Sequence, residues 1–180
     1  MKILIASDVH GSEYYLKKLL ERFSSENADK LILLGDIYNH GPRNPLPKDY
    51  SPLSVAKLLN DIKDKLIVIK GNCDSEVDKM ISDFDFVDST CLFDNKKSLF
   101  LTHGHVYNKD NMPKFSLSAV VYGHFHTPFI ERVSGVLAVN VGSISLPKNN
   151  TKNSYAIYDN GEIIIKDLID NSVIISEKLN

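Results

Sequence analysis

Residues 1–12, MKILIASDVHGS, decide how the chain begins to fold. The apolar run at 2–6 stops at a Ser-Asp pair, which is typical of a short buried strand. A Gly-Ser pair follows, and Ser12 carries the hydroxyl that favours a helix N-cap. The next apolar side chains recur at helical spacing: Tyr15, Leu16, Leu19, Leu20 and Phe23. The stretch therefore predicts a strand, a polar turn and a helix.

The same alternation continues through the first 70 residues. Apolar runs at 31–34 and 66–69 predict two more strands, and each stops at a Gly followed by Asp or Asn. Between them, residues 54–62 carry apolar side chains on one helical face. Strands that alternate with helices predict a parallel α/β sheet with right-handed crossovers.

The second half of the chain is richer in short β-like runs. They lie at 98–102, 119–122, 136–141, 155–158, 162–168 and 172–178. The last two flank Ile169-Asp170-Asn171, which predicts a hairpin-like turn. From these runs we predict a second sheet, mixed or antiparallel, that packs on the first. Because the composition marks no linker between the halves, we predict one domain over residues 1–180.

Length and composition exclude several classes of protein. A chain of 180 residues with 43% hydrophobic and 24% charged residues is typical of a globular domain, not of a disordered or fibrous one. A formal net charge of -2 gives no general attraction to nucleic acid or to an anionic membrane, so any affinity for phosphate must be local.

The start of the chain and its cysteines favour a cytoplasmic setting. No apolar run approaches the about 20 residues of a membrane-spanning helix. An acidic residue at position 8 comes too early for a secretory signal. The two cysteines, Cys73 and Cys91, cannot make a disulfide framework. We expect Cys91 to be a buried structural residue.

Residues that bind metals are concentrated where predicted strands end. Five such segments carry them: Asp8 and His10, Asp36, Asn72, His103 and His105, and His124 and His126. Ligands of open α/β sheets gather beyond the carboxyl ends of strands. Each segment alone also fits a helix cap or a turn. Five of the six histidines of the chain lie at predicted strand ends, a concentration that a purely structural core does not require.

The mixture of oxygen and imidazole groups suits Mn²⁺, Fe, Co²⁺ or Zn²⁺ better than Ca²⁺ or Mg²⁺. The groups are too many for one ion, whereas two ions roughly 3.5–4 Å apart that share a carboxylate account for them. Two divalent ions contribute a charge of +4, and Asp8 and Asp36 contribute -2. The residual positive charge favours a phosphate ester and a hydroxide.

Taken in order, the segments resemble the five motifs of the calcineurin-like metallophosphoesterases. The matching residues are Asp8-Val9-His10, Gly35-Asp36, Gly71-Asn72-Cys73-Asp74, His103-Gly104-His105 and Gly123-His124-Phe125-His126. The strings at 39–45, 71–78 and 142–148 are more specifically similar to the small bacterial YfcE-type phosphodiesterases. The resemblance implies an α/β fold, a four-layer αββα sandwich of two mixed sheets, with the site at their loop ends. It also implies a homo-oligomer.

The resemblance further implies a ligand set and a reaction. One metal would be held by Asp8, His10, Asp36 and His126, and the other by Asp36, Asn72, His103 and His124. Asp36 would bridge two divalent ions, for which Mn is preferred and Zn, Fe, Co or Ni are alternatives. The implied enzyme is a phosphoric diester hydrolase that attacks a small phosphodiester with a metal-bridging hydroxide.

Several residues near these motifs are candidates for contact with the substrate. Arg43 and His40 lie in segment 39–52, which holds four of the seven prolines. An Arg in a loop is usually a solvated charge, but the similarity of the string at 39–45 to the YfcE-type enzymes favours a bidentate contact of this guanidinium to phosphate. We place His105 behind the ligands or in the substrate pocket. Asn44 and Lys109 are further candidates for the pocket wall.

Residues 73 and 74 are interpreted differently from each other. Many family members carry His at position 73, and a thiol is a weaker hydrogen-bond donor that protonates an alkoxide less readily. Cys73 is therefore predicted to face the substrate as a neutral group. For Asp74 we favour a cap on a helix that begins near Ser75 over a role in orienting Asn72.

Two other classes of function are weighed against the enzyme. Some proteins of this fold, such as the retromer scaffold subunit, are interaction platforms with an incomplete site, whereas here all seven family ligand positions are filled. A nuclease is disfavoured because no Lys/Arg stripe is visible and no sequence is left for a DNA-binding domain. We expect a small-molecule substrate, with neither nucleic acid nor membrane as a partner.

Overall fold

Two β-sheets lie face to face in the computed structural model, which describes residues 1–179. The strands are β1 (Ile3–Ala6), β2 (Lys30–Leu33), β3 (Leu66–Ile69), β4 (Phe86–Val87), β5 (Ser89–Asp94), β6 (Lys97–Thr102), β7 (Ala119–Tyr122), β8 (Phe129–Val133), β9 (Val136–Asn140), β10 (Ser154–Asp159), β11 (Glu162–Asp167) and β12 (Val173–Lys178). The helices are α1 (Glu13–Ser25), α2 (Pro52–Asn60) and two short 3-10 helices, Lys63–Lys65 and Glu76–Met80. No helix within residues 1–179 has the length and apolar character needed to cross a membrane.

Both sheets are mixed. The seven-stranded sheet has the order β12-β11-β10-β1-β2-β3-β4, in which β1 to β4 run parallel and the other pairings are antiparallel. The five-stranded sheet has the order β5-β6-β7-β9-β8, with a parallel centre and antiparallel edge strands. The predicted fold class, an α/β sandwich of two mixed sheets, is confirmed.

The strand–helix alternation predicted for the first 70 residues is confirmed as β1-α1-β2-α2-β3. Ser12 caps α1, since its hydroxyl oxygen accepts a hydrogen bond from the Tyr15 N–H at 3.3 Å. The second helix starts at Pro52, two residues earlier than expected. Proline favours the first helical position because its missing N–H would have no intrahelical partner there.

Three of the β-rich runs in the second half lie in the first sheet, so their predicted assignment to the second sheet is wrong. β10 pairs antiparallel with β1, where Ala156 lies opposite Ile5, and β11 and β12 extend the sheet outward. This pairing places β1 inside the sheet, where all four of its residues are buried. An apolar run indicates burial but does not specify the pairing partner.

The apolar core lies mainly between the sheets and includes side chains such as Ile32 and Leu101. Helices α1 and α2 cover the outer face of the seven-stranded sheet. The outer face of the five-stranded sheet is covered by segment 112–117, from which Met112 and Leu117 pack inward. Within residues 1–179 this fourth layer is a loop, from which Phe115 also packs edge-on against Phe100, and no helix forms it.

Cys91 lies on the edge strand β5 and is exposed, so the prediction that it is buried is wrong. Successive side chains of a strand point to opposite faces. Leu92 packs on the core between the sheets, whereas its neighbours Cys91 and Phe93 are exposed. The apolar run around residue 91 does not reveal which of its residues face outward.

The carboxyl ends of the central parallel strands meet at one edge of the sandwich. After β1 and β2, the Asp8 N–H donates to the Gly35 carbonyl at 3.1 Å. Across the two sheets, the His124 N–H that follows β7 donates to Asp8 Oδ2 at 2.9 Å. The polar segments of both sheets therefore converge on the same place.

Candidate metal centre

The turns at this edge hold five candidate ligands in left-handed backbone. Their φ angles are 57° for Asp8, 49° for His10, 55° for Asp36, 65° for His124 and 60° for His126. A residue with a side chain in this region costs about 1–3 kcal/mol, and such strain concentrates at functional sites. The packing of the two sheets thus holds these residues in backbone conformations that an isolated loop would not keep.

One group of ligand atoms surrounds Asp8. His126 Nε2 lies 3.2 Å from Asp8 Oδ1, and His10 Nε2 lies 3.6 Å from the same oxygen. The two Nε2 atoms are 3.2 Å apart. All three residues are buried, and their atoms are close enough together to bind one ion.

A second group surrounds His103. Its Nε2 lies 3.0 Å from Asn72 Oδ1 and 3.3 Å from His124 Nδ1. The same nitrogen is 3.4 Å from Asp36 Oδ1. An amide oxygen, a carboxylate oxygen and two ring nitrogens therefore converge in this group.

Asp36 lies between the two groups. Its Oδ1 faces His103, whereas its Oδ2 lies 3.7 Å from His10 Nε2. The Cys73 N–H donates to Oδ1 at 2.8 Å, which fixes the carboxylate plane. The two oxygens of one carboxylate thus face two separate sets of ligand atoms, as a bridging ligand requires.

Three of the histidines are oriented by backbone carbonyls. His10 Nδ1 is 2.7 Å from the Asn39 oxygen, His103 Nδ1 is 2.6 Å from the Leu34 oxygen, and His126 Nδ1 is 2.6 Å from the Leu146 oxygen. A carbonyl only accepts, so each Nδ1 carries the proton. In the neutral ring, Nε2 then presents its lone pair to the site, the arrangement typical of metal-binding histidines.

The donor set fits a divalent cation. With Nδ1 protonated, the facing Nε2 atoms of His10 and His126 are both acceptors in their neutral form. Asp8 Oδ1 is fully buried and has no hydrogen-bond donor among residues 1–179. A buried acceptor without a partner is costly, and two acceptors facing each other need a positive charge between them. Carboxylate oxygen and imidazole nitrogen are ligands that transition metals and zinc bind well.

The pKa values show the same demand for positive charge. Burial opposes ionisation of Asp8, but the favourable interaction with the adjacent His10 and His126 rings holds the pKa of its carboxyl well below the usual range. Burial also disfavours a charged His103, yet Asp36 and the charge of Asp8 raise its pKa to about 9. In contrast, burial and the neighbouring His103 lower the pKa of His124 to about 4. Metal binding would replace the His103 proton.

Two glycines allow the segments to approach this closely. A Cβ on Gly71 would collide with the carboxylate and the backbone nitrogen of Asp36. A Cβ on Gly123 would collide with the Ser7 side chain and would lie 2.6 Å from Asp8 Oδ2. The glycines before Asn72 and before His124 are therefore required by contacts with the carboxylates themselves.

Asp74 ties together the strand ends that carry Asp36 and Asn72, and the predicted helix cap is wrong. Its carboxylate accepts N–H bonds from Asp36 and Ile37 at 2.8 Å and from Gly71 at 2.7 Å. The following 3-10 helix is instead capped by Ser75 together with Asp78. Burial raises the pKa of Asp74 to about 6 despite the three donors.

A cavity of about 600 Å³ opens beside the ligand atoms. Its wall is formed by Asp36, Asn39, Gly41, Pro42, Arg43, Asn44, Asn72, Cys73, His124, His126 and Lys148. Arg43, Asn44 and Cys73 therefore lie where the sequence analysis expected pocket residues. Asn39 and Lys148 were not singled out, although both belong to strings that resemble the YfcE-type enzymes.

Three other candidates lie outside this cavity. His40 packs its ring edge-on against Tyr50, with 5.4 Å between the ring centroids. His105 is exposed, stands 5.4 Å from the His103 ring and lines a separate depression with Lys70 and other residues. Lys109 forms an ion pair with Glu131 at 3.0 Å. The sequence could not show that these residues lie outside the cavity, because the residues of such loops have similar polarity whether or not they line it.

Comparison with known proteins identifies the family. Residues 1–162 match the domain described as the calcineurin-like phosphoesterase superfamily domain. The chain belongs to this superfamily. It is 41% identical over 182 residues to the phosphodiesterase YfcE of Escherichia coli strain K12, an alignment that covers 100% of this chain and 99% of the relative.

Solved structures agree with this assignment. A phosphoesterase from E. coli, also described as YfcE, superposes with a TM-score of 0.96 at 40% identity and covers 100% of both chains. Wild-type Vps29 from Entamoeba histolytica, complexed with zinc, superposes with a TM-score of 0.65 at 17% identity and covers 99% of this chain and 98% of that one. The second likeness shows the fold alone.

The resemblance found in the sequence is confirmed, and so is the prediction of a phosphoester-hydrolysing enzyme. The family implies divalent metal ions, and the buried groups of His, Asp and Cys side chains are candidates to hold them.

Replacement of Asp74 by Asn tests its role in tying the strand ends. The amide nitrogen would face an N–H group, so we expect the free energy of unfolding to fall by about 1–3 kcal/mol. Metal content should fall with it. Urea denaturation and elemental analysis measure the two effects. The matched control is Asp78→Asn in the exposed 3-10 cap, for which metal content should not change; equal behaviour of both variants would contradict the assignment.

Proposed function

We propose that this chain is a metal-dependent phosphodiesterase that hydrolyses small phosphodiesters at a dinuclear metal site. The carrying observation is Asp36, whose two oxygens face separate sets of ligand atoms. One ion would be held by Asp8, His10, Asp36 and His126, and the other by Asp36, Asn72, His103 and His124. The relative with 41% identity over the whole chain is itself named a phosphodiesterase.

When bound, two divalent ions supply an acidified water for attack on phosphorus and offset the charge of the phosphate oxygens. The residues of the chain set up this chemistry in advance. Asp8 and Asp36 would neutralise only part of the positive charge of the two ions, since Asn72 and the neutral histidines carry no negative charge. The backbone carbonyls that hold His10, His103 and His126 keep the ring nitrogens aimed at the site.

The wall of the cavity would receive the rest of the substrate. Arg43 lies exposed in the proline-rich loop and lines the same cavity as Asn72, where its guanidinium would contact a phosphate oxygen. Cys73 is half-buried beside Asp36, and its Sγ accepts a bond from the Asn72 amide at 3.3 Å. Burial and the Asp36 carboxylate raise the pKa of this thiol to about 12, so it meets a substrate as a neutral group. His105, whose ring lies next to that of His103, remains a candidate for a supporting role behind the metal ligands.

The activity is tested with bis(4-nitrophenyl) phosphate and the purified protein, freed of metal and then reloaded. We expect hydrolysis that depends on added metal, with Mn²⁺ preferred among Mn²⁺, Zn²⁺, Fe²⁺, Co²⁺ and Ni²⁺. Absence of hydrolysis with all five metals, while two ions are bound, would contradict the proposal and favour a scaffold role.

Asp36→Asn tests the bridging carboxylate. The amide has no charge to offset two divalent ions, so activity should be lost while the fold is kept. Elemental analysis should show that metal content falls together with turnover, and circular dichroism monitors the fold. Full activity with two metals retained would refute the bridging assignment.

Arg43→Ala tests contact with the substrate. Arg43 lines the cavity but is not among the ligand atoms, so KM should rise several-fold while metal stoichiometry stays the same. Loss of a charged hydrogen bond of about 1.5–3 kcal/mol is an upper bound for this exposed side chain. An unchanged KM would mean that Arg43 is only a solvated surface charge.

Cys73→His tests what the neutral thiol does. An imidazolium here could pair with the extra charge of a monoester or protonate its leaving oxygen, which is worth ~10²–10⁴-fold where departure limits the rate. An aryl diester needs that help least. We therefore expect kcat/KM for an aryl monoester to rise relative to the matched diester. An unmoved ratio with both metals bound would mean that Cys73 does not face the substrate.

The remaining sequence-based expectations stay predictions. They are a single domain over residues 1–180, a cytoplasmic location, a homo-oligomeric state and a substrate that is not a nucleic acid. Gel filtration and light scattering of the metal-loaded protein test the oligomeric state directly.

A further inference from the structure

The cavity holds a second cation, Lys148, that the proposed reaction does not use. Lys148 lies in the segment between β9 and β10, which also carries Leu146. Its N–H donates to the His126 carbonyl at 3.0 Å, and its own carbonyl accepts from the Thr151 N–H at 3.0 Å. The main chain of Lys148 is therefore held against a candidate metal ligand, while its side chain is exposed at the cavity wall.

Neither cation of the cavity has an acidic partner. Within residues 1–179, Lys148 and Arg43 take part in no ion pair, whereas other exposed cations such as Lys109 and Lys152 do. Asp36 is the single carboxylate of the cavity wall, and we have assigned it to the metals. The positive charge of Lys148 and Arg43 is thus left for whatever enters the cavity.

The other wall residues also favour a polar occupant. Among the described residues no Phe, Tyr or Trp lines the cavity, and its two aromatic rings are the imidazoles of the candidate ligands His124 and His126, so a large stacking surface for a nucleobase is missing there. Asn39 and Asn44 are polar members of the cavity wall instead. A cavity of about 600 Å³ is within the range of small-molecule sites and exceeds what a phosphate group fills.

We propose that Lys148, together with Arg43, makes the site selective for phosphodiesters whose non-leaving arm carries a second anionic group. The inference rests on the proposed phosphodiesterase function and specifies its substrate class. The Lys148 ammonium would pair with this second group as a point charge, and the Arg43 guanidinium, which contacts the phosphodiester, would add to the positive charge of the cavity. Lys148 acts on substrate choice and takes no part in bond breaking.

Three probes that share one leaving group test this selectivity. They are 4-nitrophenyl phosphodiesters whose second arm is 2-carboxyethyl, propyl or choline, which is anionic, neutral or cationic. Hydrolysis of each breaks the phosphorus–aryloxygen bond, adds the oxygen of water to phosphorus and releases 4-nitrophenol and a proton. For the wild-type protein we expect kcat/KM to decrease from the carboxyethyl to the propyl to the choline diester, mainly through KM.

Lys148→Met removes the charge and keeps the length of the side chain. The carboxyethyl-to-propyl ratio of kcat/KM should fall by about three-fold, the size expected for one exposed ion pair. Lys148→Arg should restore the ratio, and added salt should lower it in the wild type because exposed charges are screened. The matched control is Lys96→Met, an exposed lysine in the turn between β5 and β6, at the opposite end of β6 from His103.

Binding without turnover gives a second readout. Calorimetric titration of the metal-loaded protein with 3-phosphonopropionate and with propylphosphonate compares the affinities for an anionic and a neutral arm. The wild type should bind the first more tightly, and in Lys148→Met the two affinities should become similar. If the wild type hydrolyses all three diesters at similar kcat/KM, or if Lys148→Met slows all three equally, the selectivity is overturned and the phosphodiesterase stands. If the wild type hydrolyses none of them, the proposed function itself fails.

Discussion

Two buried carboxylates, Asp8 and Asp36, lie at the carboxyl ends of neighbouring parallel strands, and the remaining structure of the site follows from their proximity. Removing like charges from water costs several kcal/mol per ion unless opposite charge is close by. Without metal, that charge has to come from histidines, which is why the pKa of His10 and the pKa of His103 are raised against the effect of burial. The pair of divalent cations that we propose would meet the same need more completely, with the candidate ligand atoms already close together.

The two sheets each contribute one part of this site, and their packing holds the parts together. Asp8 and Asp36 follow strands of the seven-stranded sheet, whereas His103 and His124 follow strands of the five-stranded sheet. The apolar layer between the sheets therefore fixes the distance between carboxylates and imidazoles. Left-handed turns and glycines without room for a Cβ are the local cost, and Asp74 offsets part of it by binding three N–H groups from two strand ends.

The sequence predicted the parts of this structure that depend on local pattern. Apolar runs located β1, β2, β3 and β7, and the polar residues after them located the candidate centre. Pairing could not be predicted, because β10 is as apolar as a strand of the second sheet and only its register with β1 distinguishes them. The prediction for Asp74 is wrong for a related reason: an acid before Ser75 matches a cap locally, while two of its three donors come from residues 36 and 37, far along the chain.

The histidines also connect the metal side of the site with its substrate side. The ring of His10 donates to the Asn39 carbonyl at the start of the loop that carries Arg43, and the ring of His126 donates to the Leu146 carbonyl beside Lys148. These bonds fix the tautomer of each ring, and the same bonds hold both cation-bearing loops. Because Nε2 would be free for a metal only while Nδ1 keeps its carbonyl, the proposed metal ligation and the placement of the two cations would depend on one set of contacts. Charge selection in the cavity is therefore coupled to the geometry of the metal centre through His10 and His126.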